Sequence, residues 1–390
     1  MAVTLGAEPT ASEPLDGLVA YLPADAHVTY EDRQGHDPCQ AARGRTDRSS
    51  PAGAATAAVM DARHDHDVAV TGSSGHDVDP RAAAHRALST VPIRLGIVTP
   101  VLTLLPGAHA RWEREGTLDE VVRIARAADD LGYHHLTCSE HVAVPDDVAL
   151  VRGSRYWDPL ATFGYLAAHT SRIRLATNVL VLGYHHPLDI VKRYGTLDVV
   201  SGGRLVLGLG VGSLREEFAL LGAPFEDRGE RADEALLALR ASLSTTTPTF
   251  HGRHTSYDGV VVEPCALQPR VPMWIGGRTA RSLRRAVELG DGWTPFGLAP
   301  EELGTLLAAA RRTAAWSERT EPLELVLQPP GAFDPAGKPE ATRVAAAELV
   351  SIGATILSLR LIHHSADHYV EQMTAMADLV SDLEPQAPRS

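Results

Sequence analysis

An acid and an imidazole stand next to each other at Glu140 and His141, directly after an apolar segment. A neighbouring carboxylate and imidazole can exchange protons with a substrate, or form hydrogen bonds with a polar heterocycle. Pairs of this kind also occur in structural networks, so the pair alone does not decide between catalysis and packing. The sequence therefore makes Glu140 and His141 the first candidates for a catalytic role.

A second candidate is the segment 273–283, MWIGGRTARSL, in which an apolar run stops at two glycines and restarts with helical spacing. Gly276 and Gly277 permit close backbone approach, Arg278 adds a positive charge, and Thr279 can cap the following helix. The free N–H groups and the dipole at a helix N-terminus favour an anion. A plain strand-to-helix turn is the alternative interpretation. The residues of this turn alone leave both interpretations open.

The elements that must position these residues are short apolar strands that alternate with amphipathic helices. Helix starts are indicated by a capping box at Thr117 and Glu120, and by Asp158 followed by Pro159. Eight strands are predicted, at 93–98, 134–140, 173–178, 204–210, 271–277, 291–295, 323–328 and 354–361.

Strict alternation of strands and helices predicts an α/β fold with parallel strands. Eight such units in about 295 residues fit a (β/α)8 TIM barrel. An insertion follows the fourth strand, with a helix at 226–242 and a hairpin within 249–264. A doubly wound open sheet is the alternative, but GLGVGS after the fourth strand has Ser213 where the dinucleotide fingerprint needs a third glycine or an alanine.

In such a barrel the active site lies at the carboxyl ends of the strands. The residues at those positions are, besides the two candidates above, Asn178, Val179, Gly210 and Gly212. We expect all of these residues to lie around one cavity.

Residues 1–90 differ in composition from the rest of the chain. They contain no Phe, Trp or Lys and only two tyrosines, and they are rich in Ala, Asp, His, Gly, Ser and Pro. Such a segment cannot bury enough apolar surface to offset the loss of chain entropy. We predict a low-complexity, disordered extension at 1–90 and one catalytic domain at 91–386.

Composition limits the partners of the protein. A net charge of -13 and the lack of a Lys/Arg-rich run argue against nucleic acid and against an anionic membrane. Three scattered cysteines give no disulfide framework or zinc ribbon, and no apolar run approaches the ~20 residues of a bilayer span. We predict a cytoplasmic protein without a metal site that acts on a small-molecule substrate.

Several motifs in this order resemble the luciferase-like monooxygenase superfamily, in particular its branch of coenzyme F-420-dependent oxidoreductases. The motifs are SEHVAVP, ATNVLVLGYHHP, SGGRLVLGLGVG followed by EEF, and MWIGG followed by ELGDGW. The resemblance covers roughly residues 93–383. It implies coenzyme F-420 (8-hydroxy-5-deazaflavin), or alternatively FMN, bound across the barrel mouth, and it allows a homodimer.

The resemblance also implies roles for individual residues. His141 matches the histidine near the reactive centre of the ring system, and Glu140 matches the acidic position at the polar edge of the ring. Asn178 and Val179 match a non-prolyl cis peptide behind the ring. Gly210 and Gly212 belong to a loop that passes close to the cofactor, and Gly276, Gly277, Arg278 and Thr279 match the phosphate anchor.

Two positions depart from the sugar-phosphate dehydrogenases of that branch: Pro145 and Ser213 replace a tryptophan and a glutamate. This argues against glucose 6-phosphate as the substrate and leaves the group that exchanges a proton with the substrate unassigned. Loop residues that could reach the cavity are His109, Tyr184, His185, His186, His363 and His364. With F-420 we expect hydride transfer to or from a small organic substrate. An FMN-dependent monooxygenase, a non-catalytic flavin-binding barrel and a zinc hydrolase are the alternatives.

Overall fold

The computed structural model describes residues 93–384, and the extension predicted at 1–90 lies outside this range. Eight parallel strands form a closed barrel, as predicted from the alternation of strands and helices. Their bounds are β1 Arg94–Ile97, β2 His135–Cys138, β3 Arg174–Thr177, β5 Leu205–Gly210, β8 Met273–Gly276, β9 Gly292–Thr294, β10 Glu324–Leu327 and β11 Ile356–Leu359. The additional strand β4, Leu180–Val181, pairs with β5 beyond the end of β3.

Two pairings close the barrel. β1 pairs with β11 from Arg94 opposite Ile356, and β3 pairs with β5 from Leu175 opposite Leu205. The strands are almost entirely buried because helices cover their outer face and side chains fill the interior. The eight predicted strands are therefore all present, each one to four residues shorter than the apolar pattern indicated.

Helices follow the barrel strands and begin where the capping residues predicted. Thr117, Asp158 and Thr279 each accept a hydrogen bond from a first-turn backbone N–H of the helix that they precede. The helix bounds are α1 Leu118–Asp130, α2 Asp146–Arg152, α3 Pro159–Ala167, α4 Pro187–Ser201, α5 Arg215–Leu220, α6 Arg228–Ser242, α7 Ala280–Leu289, α8 Pro300–Ala310, α9 Ala314–Ser317, α10 Pro339–Ile352 and α11 Ala366–Leu379. Within residues 93–384, no helix combines the length and apolar character needed to cross a bilayer.

The insertion after β5 contains α5, α6 and an antiparallel hairpin of β6 Phe250–His251 and β7 Ser256–Tyr257. The predicted helix at 226–242 corresponds to α6, and the predicted hairpin is present. The short helix α5 was not predicted. It carries Glu217 and Phe218, which point back towards the barrel and are fully buried.

A polar cluster lies inside the amino-terminal half of the barrel. His135 is fully buried, and a Cβ atom at Gly96 would come within 2.0 Å of its ring, so the absent side chain of Gly96 leaves the space for this imidazole. Glu324 accepts hydrogen bonds from Arg94 (2.8 Å) and from the Trp274 indole (2.7 Å). Every member of the cluster lies at strand starts, away from the carboxyl edge that carries the predicted site.

Candidate active site

The predicted site residues follow four strands that are consecutive around the barrel. β2 pairs with β3, β3 with β5, and β5 with β8, all in parallel. The ends of these strands and the loops after them carry Glu140 and His141, then Asn178 and Val179, then Gly210 to Gly212, then Gly276 to Thr279. Because the carboxyl ends of parallel neighbours meet at one edge, the fold brings all four loops to the same end of the barrel.

The Glu140 carboxylate is engaged on both oxygens by the chain itself. Its Oε2 accepts a hydrogen bond from the Val181 amide (2.7 Å), and its Oε1 accepts one from His185 Nε2 (2.6 Å). Only 7% of the residue is exposed. Glu140 therefore fixes the segment that follows β3 to the end of β2.

His141 is held from a different direction. Its Nδ1 lies 2.6 Å from Glu217 Oε2, within hydrogen-bond distance, and its ring lies edge-on to Tyr156 with 4.4 Å between ring centroids. The side chain keeps 17% of its surface exposed. One ring nitrogen is thus engaged within the protein, while the imidazole as a whole stays accessible.

Glu217 is a functional residue that the sequence interpretation missed. Its Oε1 accepts hydrogen bonds from the amides of Val142 (2.6 Å) and Ala143 (3.1 Å), and its Oε2 accepts one from the Tyr184 hydroxyl (2.7 Å) as well as from His141. Burial alone would raise the pKa of Glu217, but the hydrogen bonds from His141, Tyr184 and the backbone outweigh it and lower the pKa. Glu217 is therefore an ionised carboxylate in a fully buried position at neutral pH.

A sequence signal for Glu217 does exist. Glu217 lies three residues after Leu214 and one before Phe218, so it falls on the buried side of a short helix instead of its exposed side. An acid on the apolar side of a helix needs a partner. The motif EEF belongs to the family resemblance, but nothing in its spacing identifies the partner of Glu217.

The peptide bond between Asn178 and Val179 is cis, as the resemblance implied. The Val179 side chain occupies the space that side chains at Gly210 and Gly276 would fill. A Cβ atom at Gly210 would lie 2.5 Å from Val179 Cγ2, and one at Gly276 would lie 2.6 Å from Val179 Cγ1. Both glycines therefore have a packing reason that is independent of any ligand.

The turn after β8 has the geometry expected for a strand-to-helix junction. Gly277 has φ +122°, a value that side chains rarely tolerate. Thr279 Oγ1 accepts from the Ser282 amide (3.3 Å), and the Thr279 amide donates to Ser282 Oγ (3.2 Å), which caps the ten-residue helix α7. Arg278 is exposed beside this helix terminus. The turn thus has the positive character that an anion requires.

Gly212 adopts φ +77° and lies against a buried aromatic ring. A Cβ atom there would come within 2.5 Å of Phe218 Cε2, and Arg228 Nε donates to the Gly212 carbonyl at 3.1 Å. The Phe218 ring of helix α5 therefore covers the loop after β5, and the hydrogen bond from Arg228 holds this loop in place.

The six loop residues left open as proton donors or acceptors separate into two groups. Tyr184 and His185 belong to the site, because they bond to Glu217 and Glu140 as described above. The others have different partners: His109 contacts the Leu105 carbonyl, His186 the Leu188 amide, His363 the Trp112 indole, and His364 the tilted ring of His368. Of the six, only Tyr184 and His185 therefore bond to Glu217 or Glu140.

His363 is nevertheless buried near the mouth, with 9% of its side chain exposed. Its Nδ1 accepts from the Trp112 indole at 2.9 Å. Burial lowers the pKa of His363 to about 4, so its ring is neutral at pH 7. Among residues 93–384, no group of three or more His, Cys, Asp or Glu side chains is arranged to hold a metal ion.

Comparison with known proteins identifies similar sequences over most of the described chain. A family model for luciferase-like monooxygenase matches residues 99–382. An uncharacterized protein of Mycobacterium tuberculosis is 29% identical over 216 residues, which cover 52% of this chain and 74% of that protein. The oxygenase component of a flavin-dependent trigonelline monooxygenase from Acinetobacter baylyi is 27% identical over 194 residues, covering 48% and 52%.

Two solved structures share the fold. A monooxygenase from Streptomyces bottropensis superposes with a TM-score of 0.61 at 21% identity, covering 74% of this chain and 99% of that one. EDTA monooxygenase from Chelativorans sp. BNC1 has a TM-score of 0.53 at 18% identity, covering 67% and 69%. At these identities the similarity establishes the barrel architecture and leaves ligand and substrate open.

Proposed function

The chain belongs to the luciferase-like monooxygenase family, whose members are flavin- or deazaflavin-dependent oxidoreductases and monooxygenases, and from this premise we propose that it transfers hydride between coenzyme F-420 and a small organic substrate. The observation that carries the proposal is the arrangement of four loops on consecutive parallel strands. These loops bring a partly exposed imidazole, the apolar Val179 side chain and a positively polarised turn to one end of the barrel.

The residues at this edge fit a phosphorylated ring cofactor. The capped amino terminus of α7, with Gly276, Gly277, Arg278 and Thr279 before it, suits a phosphate group. The Val179 side chain, seated between Gly210 and Gly276, forms an apolar wall behind the barrel mouth. We assign the cofactor-binding role to these residues together with Asn178 and Gly212.

When bound, F-420 supplies the hydride chemistry, and the protein supplies position and proton exchange. His141 keeps an accessible ring, so we assign to it the contact with cofactor or substrate. We keep for Glu140 the predicted contact with the polar edge of the ring, because each of its oxygens accepts one hydrogen bond, from Val181 and from His185, and retains a second lone pair. The same two hydrogen bonds hold the loop after β3 in place.

A second candidate function is an FMN-dependent monooxygenase. The observation that favours it is the similarity to the oxygenase component of a flavin-dependent monooxygenase. The same barrel edge would hold FMN by its phosphate, whereas F-420 suits dehydrogenation or reduction because deazaflavins react poorly with dioxygen. We favour F-420 on the order of the sequence motifs.

The test is a fluorescence titration of the full chain with oxidised and reduced F-420 and, separately, with FMN. We expect F-420 to bind with micromolar or tighter affinity. Turnover is then measured with reduced F-420 and a panel of aldehydes, ketones and enones, and with oxidised F-420 and a panel of alcohols. Tight binding of FMN alone would favour the monooxygenase, and binding without turnover would favour a non-catalytic barrel. Binding of neither cofactor would reject the proposal.

The role of His141 is tested by His141→Ala in the same assays. We expect cofactor binding to persist and turnover to fall about 10²-fold or more, because general acid–base catalysis contributes about that much. The matched control is His251→Ala, which removes an exposed histidine of the hairpin in the insertion. Equal turnover of the two variants would remove His141 from the mechanism.

A further inference from the structure

We propose that Glu217 is a positioning residue that places the ring proton of His141 on Nδ1 and leaves Nε2 as the nitrogen that exchanges a proton with the bound substrate or cofactor. The catalytic meaning of this inference rests on the proposed function. The inference about the proton itself rests only on the contacts of His141, Glu217, Tyr184 and two backbone amides.

The imidazole is the donor in the His141–Glu217 contact. An ionised carboxylate accepts hydrogen bonds and donates none, so the 2.6 Å contact requires a proton on His141 Nδ1. A neutral imidazole carries one ring proton. When that proton is on Nδ1, Nε2 has a free lone pair and can act as a base; once protonated, it can act as an acid.

The Glu217 carboxylate cannot turn away from His141. Its two oxygens accept four hydrogen bonds from two separate parts of the chain: the loop after β2, which holds His141, Val142 and Ala143, and the segment after β4 that holds Tyr184. Its residue is fully buried on helix α5, next to Phe218, whose ring packs edge-on against Tyr184 at 4.9 Å. The carboxylate is therefore a fixed acceptor for the imidazole.

Replacing Glu217 with its neutral isostere glutamine should move the His141 ring proton. The amides of Val142 and Ala143 can only donate, so in a Glu217→Gln variant the side-chain oxygen must stay on their side. The NH₂ group of the glutamine then faces His141 and Tyr184. Because that group donates, His141 Nδ1 must become the acceptor, and the ring proton must move to Nε2. One change of oxygen to nitrogen thus reverses the tautomer while the shape of the side chain is kept.

The experiment is ¹⁵N NMR of the full chain with ¹⁵N-labelled histidine, assigned through the loss of signals in His141→Gln, at a pH of about 9, where ordinary imidazoles are neutral. We expect wild-type His141 to be protonated on Nδ1 and Glu217→Gln to be protonated on Nε2. Glu216→Gln makes the same chemical change on the exposed side of the helix and should keep the wild-type tautomer.

Tyr184→Phe is a second control, because it removes one donor to Glu217 and leaves the His141 contact in place; its tautomer should also be that of the wild type. In the turnover assay, Glu217→Gln should lose about 10²- to 10⁴-fold in rate with cofactor affinity retained. Glu216→Gln should match the wild type.

Two outcomes would overturn the inference. One is a wild-type His141 ring protonated on Nε2, an observation that does not require the Glu217→Gln variant and is independent of how that variant folds. The other is an unchanged tautomer in a folded Glu217→Gln protein. Failure of the proposed function is a separate result, since it would show as a lack of cofactor binding while the NMR result stands.

Discussion

At the residue scale, two carboxylate–imidazole pairs lie at the carboxyl edge of the barrel, and each joins a residue of the loop after β2 to a different segment of the chain. Glu140 pairs with His185, and its neighbour His141 pairs with Glu217. Two adjacent residues are thus bound to two different parts of the chain, which fixes both the loop after β3 and helix α5 relative to β2. Neither side chain of the Glu140–His141 pair bonds to the other in this arrangement.

The sequence predicted the positions of Glu140 and His141 because both directly follow an apolar strand. It did not predict their partners. His185 is 45 residues from Glu140 along the chain, and Glu217 is 76 residues from His141. Local patterns carry no information on such pairings, which depend on how the loops after three strands converge.

Three buried histidines predict an acid-sensitive fold. Burial is the main cause that lowers the pKa of His134 to about 2, of His135 to about 3 and of His363 to about 4, against 6.5 in an unfolded chain. Between pH 6.5 and 4 the unfolded chain binds protons that the folded chain does not. The stabilisation from the neutral rings is therefore fully present above pH 6.5. As the pH drops below 6.5, the free energy of unfolding decreases by up to about 1.4 kcal/mol per pH unit for each histidine.

Urea unfolding at pH 7.5 and at pH 5.5 measures this effect. We expect a lower free energy of unfolding at pH 5.5, and a smaller difference between the two pH values in His363→Gln, which removes one of the three rings. His251→Gln, at an exposed position, should leave the difference unchanged. A wild-type protein that is equally stable at both pH values would contradict the assignment of neutral buried rings.

At the element scale, the alternation of strands and helices and the capping residues were sufficient to locate the barrel. Helix α2, at Asp146–Arg152, was not predicted because it has no buried residue and therefore no apolar periodicity. The two-residue strand β4 and the short helix α5 were not predicted either. Their lengths are below what a periodic pattern can reveal, and they form through contacts with the barrel.

The contact of Val179 with β5 and β8 predicts a coupled pair of substitutions. Gly276→Ala would place a Cβ atom 2.6 Å from Val179 Cγ1, so we expect a loss of about 1–3 kcal/mol in the free energy of unfolding. Adding Val179→Ala should restore part of the loss, with a coupling energy of about 1 kcal/mol in a double-mutant cycle. Urea unfolding provides the values.

The control for this cycle is Gly304→Ala in helix α8, where a Cβ atom meets nothing within 4 Å and alanine favours the helix. Cofactor titration of the same variants separates packing from ligand contact. If Gly276 contacts a phosphate, the double variant should recover stability but not affinity. Simple additivity of the two losses in stability would refute the packing role of Gly276.

At the scale of the whole molecule, the closed sheet follows from the count of eight strands, which the sequence indicated. Closure leaves no barrel strand with an unpaired edge, since β1 meets β11 and β3 meets β5. The barrel architecture does not distinguish F-420 from FMN, because both proposed cofactors are phosphorylated ring systems that the same barrel edge would hold. The choice depends on individual side chains of the loops.

The composition of residues 1–90 predicts that they add nothing to the core of the barrel. A chain that begins at Val91 should therefore have the same thermal midpoint and the same F-420 affinity as the full chain. Calorimetry and the fluorescence titration test this. A fall of more than about 4 °C, which corresponds to about 1 kcal/mol or more for a domain of this size, would contradict the prediction.

The two ends of the described fold meet. The Ile93 amide, just before β1, donates to the Leu383 carbonyl at 2.9 Å. Both ends therefore leave from the face where the strands begin, opposite the loops of the candidate site. In a chain trimmed to residues 93–384, a fluorescent reporter or a surface tether fused to either end would start on the far side of the barrel, and the immobilised protein would keep its mouth open to substrate in solution.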